Sequence, residues 1–112
     1  MAIIVQDYGT VGGNNIEDVT FKLINSSPYG ISAECRYPKQ FFTDIGLSKL
    51  TPTIGAGNAY IYTYSDGGST TTKVALTSGT EIDITSYIED SNDGIVFEIS
   101  GANALTTFVL SK

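Results

Sequence analysis

Ile31-Ser32-Ala33-Glu34-Cys35-Arg36-Tyr37-Pro38 decides the fold class. In an extended chain Ile31, Ala33, Cys35 and Tyr37 fall on one face and Ser32, Glu34 and Arg36 on the other, because successive strand side chains point to opposite sides. Apolar and polar residues alternating at period two read as a half-buried strand. Pro38 ends it, since a proline nitrogen has no proton to donate to a ladder. Upstream, Asp18–Asn25 repeats the pattern, with Val19, Phe21 and Leu23 on one face and Thr20, Lys22 and Ile24 on the other. Ser26-Ser27-Pro28-Tyr29-Gly30 between the two is turn chemistry, so they are expected to form a hairpin.

Downstream, residues 40–57 carry the weakest signal. Phe41 and Phe42 are expected to pin this stretch to the core, with one helical turn over 44–50 that Pro52 prevents from extending. Residues 58–64 read as a strand, Ser65-Asp66-Gly67-Gly68-Ser69 as a turn and 70–76 as the returning strand, the strongest hairpin signal in the chain. Residues 80–85 form another strand, with Ile82 and Ile84 inward and Glu81 and Asp83 outward. Ser86-Tyr87-Ile88 follows as a short turn capped by Thr85 or Ser86. Residues 94–100 and 105–110 read as the last two strands, joined by Gly101-Ala102-Asn103 and apolar enough to be central in a sheet. About eight short strands with regular turn signals and no long helix predict an all-β, two-sheet antiparallel β-sandwich.

Before this body stands a short apolar strand, Met1-Ala2-Ile3-Ile4-Val5-Gln6-Asp7-Tyr8, cut off by Gly9-Thr10-Val11-Gly12-Gly13-Asn14-Asn15. Residues 1–15 therefore read as an arm with a glycine-rich hinge, and 16–112 as the sandwich domain. A short strand on a hinge is suited to adding itself to the edge of another sheet, with Ile3, Ile4, Val5 and Tyr8 as the docking residues. The alternative is that it folds back as an edge strand of its own body.

Composition narrows the function classes. The chain has 112 residues, 41% of them apolar and 16% charged, enough for one domain with its own core. Its single cysteine, Cys35, allows no internal disulfide and reads as a small buried residue; with no histidine in the chain it also has no imidazole base to make it a nucleophile. A net charge of −6 and only six basic residues argue against nucleic acid and anionic membranes as partners. No apolar run near the start is long enough for a signal segment or a membrane span.

Three residue sets remain as candidate sites. Tyr60, Tyr62 and Tyr64 lie at spacing two, with Ala59, Ile61 and Thr63 on the opposite face. If the latter face is the core, three rings stand outside in a row, able to anchor a protein interface or stack on sugars. If not, the rings are core and rim, with hydroxyls reaching outward. Glu89, Asp90, Asn92 and Asp93 bring oxygens together, but the spacing does not fit a twelve-residue calcium loop, and a solvated turn is expected. Glu81 and Asp83 could pair with another carboxylate for glycoside hydrolysis, yet carboxylates alternating with isoleucine usually form a solvated face. Neither a catalytic set, a metal site nor a cofactor is expected.

Residues 1–15, with Asp7-Tyr8-Gly9-Thr10 followed by Val11-Gly12-Gly13-Asn14, resemble the start of small structural proteins of tailed bacteriophages. Those proteins often begin with a brief apolar arm and a glycine-rich hinge before a Ser/Thr-rich β-domain. Glu81-Ile82-Asp83-Ile84-Thr85-Ser86-Tyr87-Ile88, followed by Gly94-Ile95-Val96-Phe97-Glu98-Ile99-Ser100-Gly101, is similar to the late strands of galactose-binding-like jelly rolls. The first resemblance implies a non-enzymatic accessory protein on a virion head or tail, made in the host cytoplasm without a signal peptide. Its partners would be other virion proteins and further copies of itself. The second implies jelly-roll topology and raises carbohydrate binding without locating a site; in a carbohydrate-binding or adhesin module the tyrosine face, read from its spacing, is the surface that would meet a host-surface glycan.

Overall fold

A computed structural model of the chain describes residues 2–5, 18–65, 68–69, 72–89 and 92–112. Eight strands form one antiparallel sheet: β1 (Ala2–Val5), β2 (Asp18–Asn25), β3 (Ser32–Pro38), β4 (Lys49–Ser65), β5 (Gly68–Ser69), β6 (Val74–Ala75), β7 (Ile82–Asp83) and β8 (Gly94–Ser111). Two short helices, α1 (Lys39–Ile45) and α2 (Thr85–Glu89), cover connections.

Two long strands organise everything else. β4 has 17 residues and β8 has 18, and they pair from Lys49↔Ser111 to Tyr64↔Gly94, with register shifts on both sides of Ala56. Irregularity of this kind bends a sheet, and here the sheet folds onto itself at the bend. With each long strand counted as two halves, one layer runs β2, late β8, early β4, β7. The other runs β3, early β8, late β4, then β5 and β6. The first body strand thus lies beside the end of the last, and the second beside its beginning. That order is a jelly roll, and the all-β sandwich read from the sequence is the fold observed.

Gly57 shows why the bend falls where it does. Its φ is +77°, and a Cβ there would stand 2.5 Å from the Ser100 carbonyl oxygen and 2.6 Å from Ala104 Cβ. Only a residue without a side chain lets β4 and β8 approach so closely while they turn. The stretch Gly101-Ala102-Asn103, expected to join two strands, is instead the bend within the single strand β8.

The expected hairpin of β2 with β3 is also corrected. The two strands pair with opposite halves of β8, and residues 26–31 cross from one layer to the other. Buried Asn25 holds that corner. Its amide nitrogen donates to the carbonyls of Tyr29, Ile31 and Gly101 at 3.2, 3.2 and 2.7 Å, and its oxygen accepts from the Ser27 amide. Ile31, read as inward, lies outside β3 and is exposed. The helical turn is α1, earlier than expected, and Gly46 ends it by donating to the Phe42 carbonyl. Pro52 does not stop a helix; it lies within β4 opposite Phe108.

Between the layers, Val19, Phe21 and Leu23 of β2 and Ala33, Cys35 and Tyr37 of β3 point inward, as alternation requires. Phe21 stacks on Phe108 at 5.0 Å and meets Phe97 and Tyr37 at 5.1 Å, so the aromatic cluster joins both layers. Phe42 of α1 closes it against Phe97. Each such side chain contributes about 1.5–3 kcal/mol by burial.

Of the two arrangements open to the arm, the structure has the second over Ala2–Val5. Ala2–Val5 pairs antiparallel with β2, from Ala2↔Asn25 to Val5↔Lys22, as an edge strand of its own sheet. The backbone groups on the free edge of β2 find partners there, so the strand at Ile3, Ile4 and Val5 is already occupied in cis. Tyr8 and the hinge lie outside the described residues.

Candidate functional site

Ala59, Ile61 and Thr63 are at most 1% exposed, so that face of β4 belongs to the core and Tyr60, Tyr62 and Tyr64 stand on the outer face. There they meet the outward residues of early β8 and β3. Register sets three rows across the strands: Glu34, Glu98, Tyr60; then Arg36, Val96, Tyr62; then Pro38, Gly94, Tyr64.

In the first row two carboxylates sit directly opposite each other, an arrangement that repels unless other groups intervene. Tyr62 intervenes from the next row. Its hydroxyl lies 2.8 Å from Glu34 Oε2 and 2.9 Å from Glu98 Oε1, so one phenolic proton serves two carboxylates. Lys73, in the connection between β5 and β6, donates to the other oxygen of Glu98 at 2.6 Å. Arg36 Nη2 lies 3.4 Å from Glu34 Oε1 and its guanidinium 5.2 Å from the centre of the Tyr64 ring. The ammonium of Lys73 stands 5.7 Å from the Tyr60 ring centre and 5.8 Å from that of Tyr62. Both distances are within cation–π range.

Burial ranks these groups. The Glu98 side chain is 7% exposed and the Lys73 side chain 51%. Glu98 is therefore the fixed centre of the cluster, and Lys73 closes over it from solvent. Burial, reinforced by the hydrogen bonds to Glu34 and Glu98, pushes the Tyr62 hydroxyl well above the ordinary phenol range. The bond to Glu98 holds the Lys73 ammonium above its ordinary range.

Gly94 makes the third row possible. A Cβ there would clash with the Tyr37 carbonyl and come within 2.8 Å of the Tyr64 ring and hydroxyl. Without one, Tyr64 lies over the sheet while Arg36 covers its ring.

The structure thus places all three expected tyrosines on one face, with Tyr60 and Tyr64 half-buried and Tyr62 buried by its partners. Sequence reading missed Glu34, Arg36, Lys73 and Glu98 as partners of that face. The available signal was Glu98, a lone charge in the apolar run from Ile95 to Ile99.

The arm residues Ile3, Ile4 and Val5 belong to the other layer, beyond β2, and are not brought to this face. Asp83 accepts hydrogen bonds from Thr85, first from its side chain and then from its backbone, which hold its carboxyl below the ordinary range. It shapes the entry to α2 beside exposed Glu81. Asn92 donates to the Tyr87 carbonyl at 3.0 Å, and Asp90 lies outside the described residues. Among the described residues, no three Cys, Asp or Glu side chains gather in a geometry that could hold a metal ion.

Comparison with protein-family models, with curated proteins and with solved structures returned no match.

Proposed function

We propose that this chain is a non-enzymatic structural or accessory protein of a bacteriophage particle that assembles through the outer face of late β4. The observation that supports this reading most is the half-buried pair Tyr60 and Tyr64, set on either side of Tyr62 in a face braced by four charged side chains. Rings already held in place lose little entropy on contact, and tyrosine is enriched where interfaces carry their energy. The jelly roll is used by capsid and lectin domains alike, so the fold agrees with the reading by analogy only.

A second reading is favoured by the same rings. Tyr60 and Tyr64 could stack on sugar faces while neighbouring carboxylates and cations bond hydroxyls, as in a carbohydrate-binding adhesin.

Light scattering on the wild type and on Tyr60→Ala/Tyr64→Ala tests the first reading. A wild-type homo-oligomer that becomes a folded monomer in the variant supports it, and equal masses refute it. Capsid, portal or tail genes beside the coding sequence would support the particle context. Glycan-array binding that the same variant loses would favour the second reading.

A further inference from the structure

The Glu98 carboxylate and the rings of Tyr60 and Tyr62 form a seat for a positive charge, and Lys73 of the same chain occupies it. The seat and its occupant differ in how firmly they are held. Glu98 is buried on a central strand, and its second oxygen is fixed by Tyr62, whose hydroxyl also reaches Glu34. Lys73 lies in the connection ahead of β6, with half its side chain in solvent. If Lys73 swings away, the buried acceptor oxygen of Glu98 and the ring of Tyr62, bonded to Glu34 and Glu98, keep their other contacts.

The charge count points the same way. Glu34 and Glu98 carry two negative charges, offset by Arg36 and Lys73. With Lys73 withdrawn, a buried carboxylate lacks its counterion, and such a group strongly favours capture of another cation. The net charge of −6 also draws cations toward the domain.

We propose that this is a recognition site for a primary ammonium, filled by Lys73 in the isolated chain and offered to a lysine side chain of an assembling partner. Lysine is the occupant to expect, because the seat already accommodates an ammonium on a four-carbon stem. The proposal rests on the reading of this face as the contact surface for its use, whereas the site itself stands on the geometry.

The test is an amide NMR titration of the soluble protein with Nα-acetyl-lysinamide, against sodium chloride at equal ionic strength. In Lys73→Ala, the lysine analogue produces saturable shifts at Tyr60, Tyr62 and Glu98 that sodium does not. Wild-type protein binds more weakly than Lys73→Ala, because only the fraction of molecules with Lys73 withdrawn can accept the analogue. Adding Glu98→Gln abolishes the effect. Lys73→Ser provides the same vacancy should the alanine variant misfold.

Shifts that are non-saturating, or that are equal in wild type and variant, overturn the proposal. Saturable binding of glucosamine without binding of the lysine analogue overturns the lysine assignment. The titration requires no assembly, so its failure is separate from a failure of the light-scattering test.

Discussion

Tyr62→Phe removes one oxygen and leaves the ring covering Val96, so it isolates the hydroxyl that joins Glu34 to Glu98. A hydrogen bond to a charged group contributes about 1.5–3 kcal/mol. Only one proton is available for the two contacts, so the contributions do not sum. After the change Glu34, whose side chain is 40% exposed, takes up water, whereas Glu98 stays buried with Lys73 as its remaining partner. The net loss is therefore expected near the lower end, about 1–2 kcal/mol. At roughly 4 °C per kcal/mol for a domain of this size, the melting temperature should fall by about 4–8 °C. Urea unfolding at pH 7 reads it as a lower midpoint with an unchanged slope. Tyr62→Ala also strips the ring and should cost about 3–5 kcal/mol. A Tyr62→Phe midpoint equal to or above wild type would refute the claim that this hydroxyl relieves the opposed carboxylates.

Alkaline pH should destabilise the domain: burial pushes the Cys35 thiol from 9.0 up to about 12 and Tyr62 above its ordinary 10.0. The folded state then holds protons the unfolded chain has released. Stability is thus full below pH 9 and falls as pH rises beyond it, by up to about 1.4 kcal/mol per pH unit for each group. Unfolding midpoints from pH 7 to 11 should show the fall beginning near pH 9, with Cys35→Ala delaying its onset; a flat profile contradicts it. Gly57→Ala forces a side chain into the Ser100 carbonyl at a positive φ and should cost more than about 3 kcal/mol, read as loss of the cooperative thermal transition. Thr106 is fully buried and its hydroxyl has no partner among the described residues, so Thr106→Val should be neutral or raise the urea midpoint by up to about 1 kcal/mol equivalent.

Much of this architecture is legible in local alternation. Val19, Phe21 and Leu23, then Ala33, Cys35 and Tyr37, point inward as period two demands. The same rule separates Ala59, Ile61 and Thr63 from the tyrosines. What local pattern does not carry is whether a glycine-rich stretch reverses the chain or bends it. Gly101-Ala102-Asn103 reads as a turn, yet β8 continues through it because β4 pairs with the stretches on both sides of it, 94–100 and 105–111. Ser26 to Gly30 likewise turns between layers, and Asn25 anchors it to Gly101, 76 residues away. The ionic face was hidden for the same reason. Tyr62 meets Glu34 across 28 residues, and Lys73 meets Glu98 across 25. Whether Ala2–Val5 pairs in cis or in trans is also beyond alternation, since either choice satisfies the same backbone groups.

Hydroxyl-radical footprinting of Tyr60 and Tyr64, compared between concentrated and highly dilute protein, addresses the contact face most directly. Both tyrosines are expected to be labelled in dilute solution and protected on assembly, with exposed Tyr29 labelled equally in both. Protection confined to Ala2–Val5 and the edge of β2, with Tyr60 and Tyr64 labelled alike throughout, would contradict it.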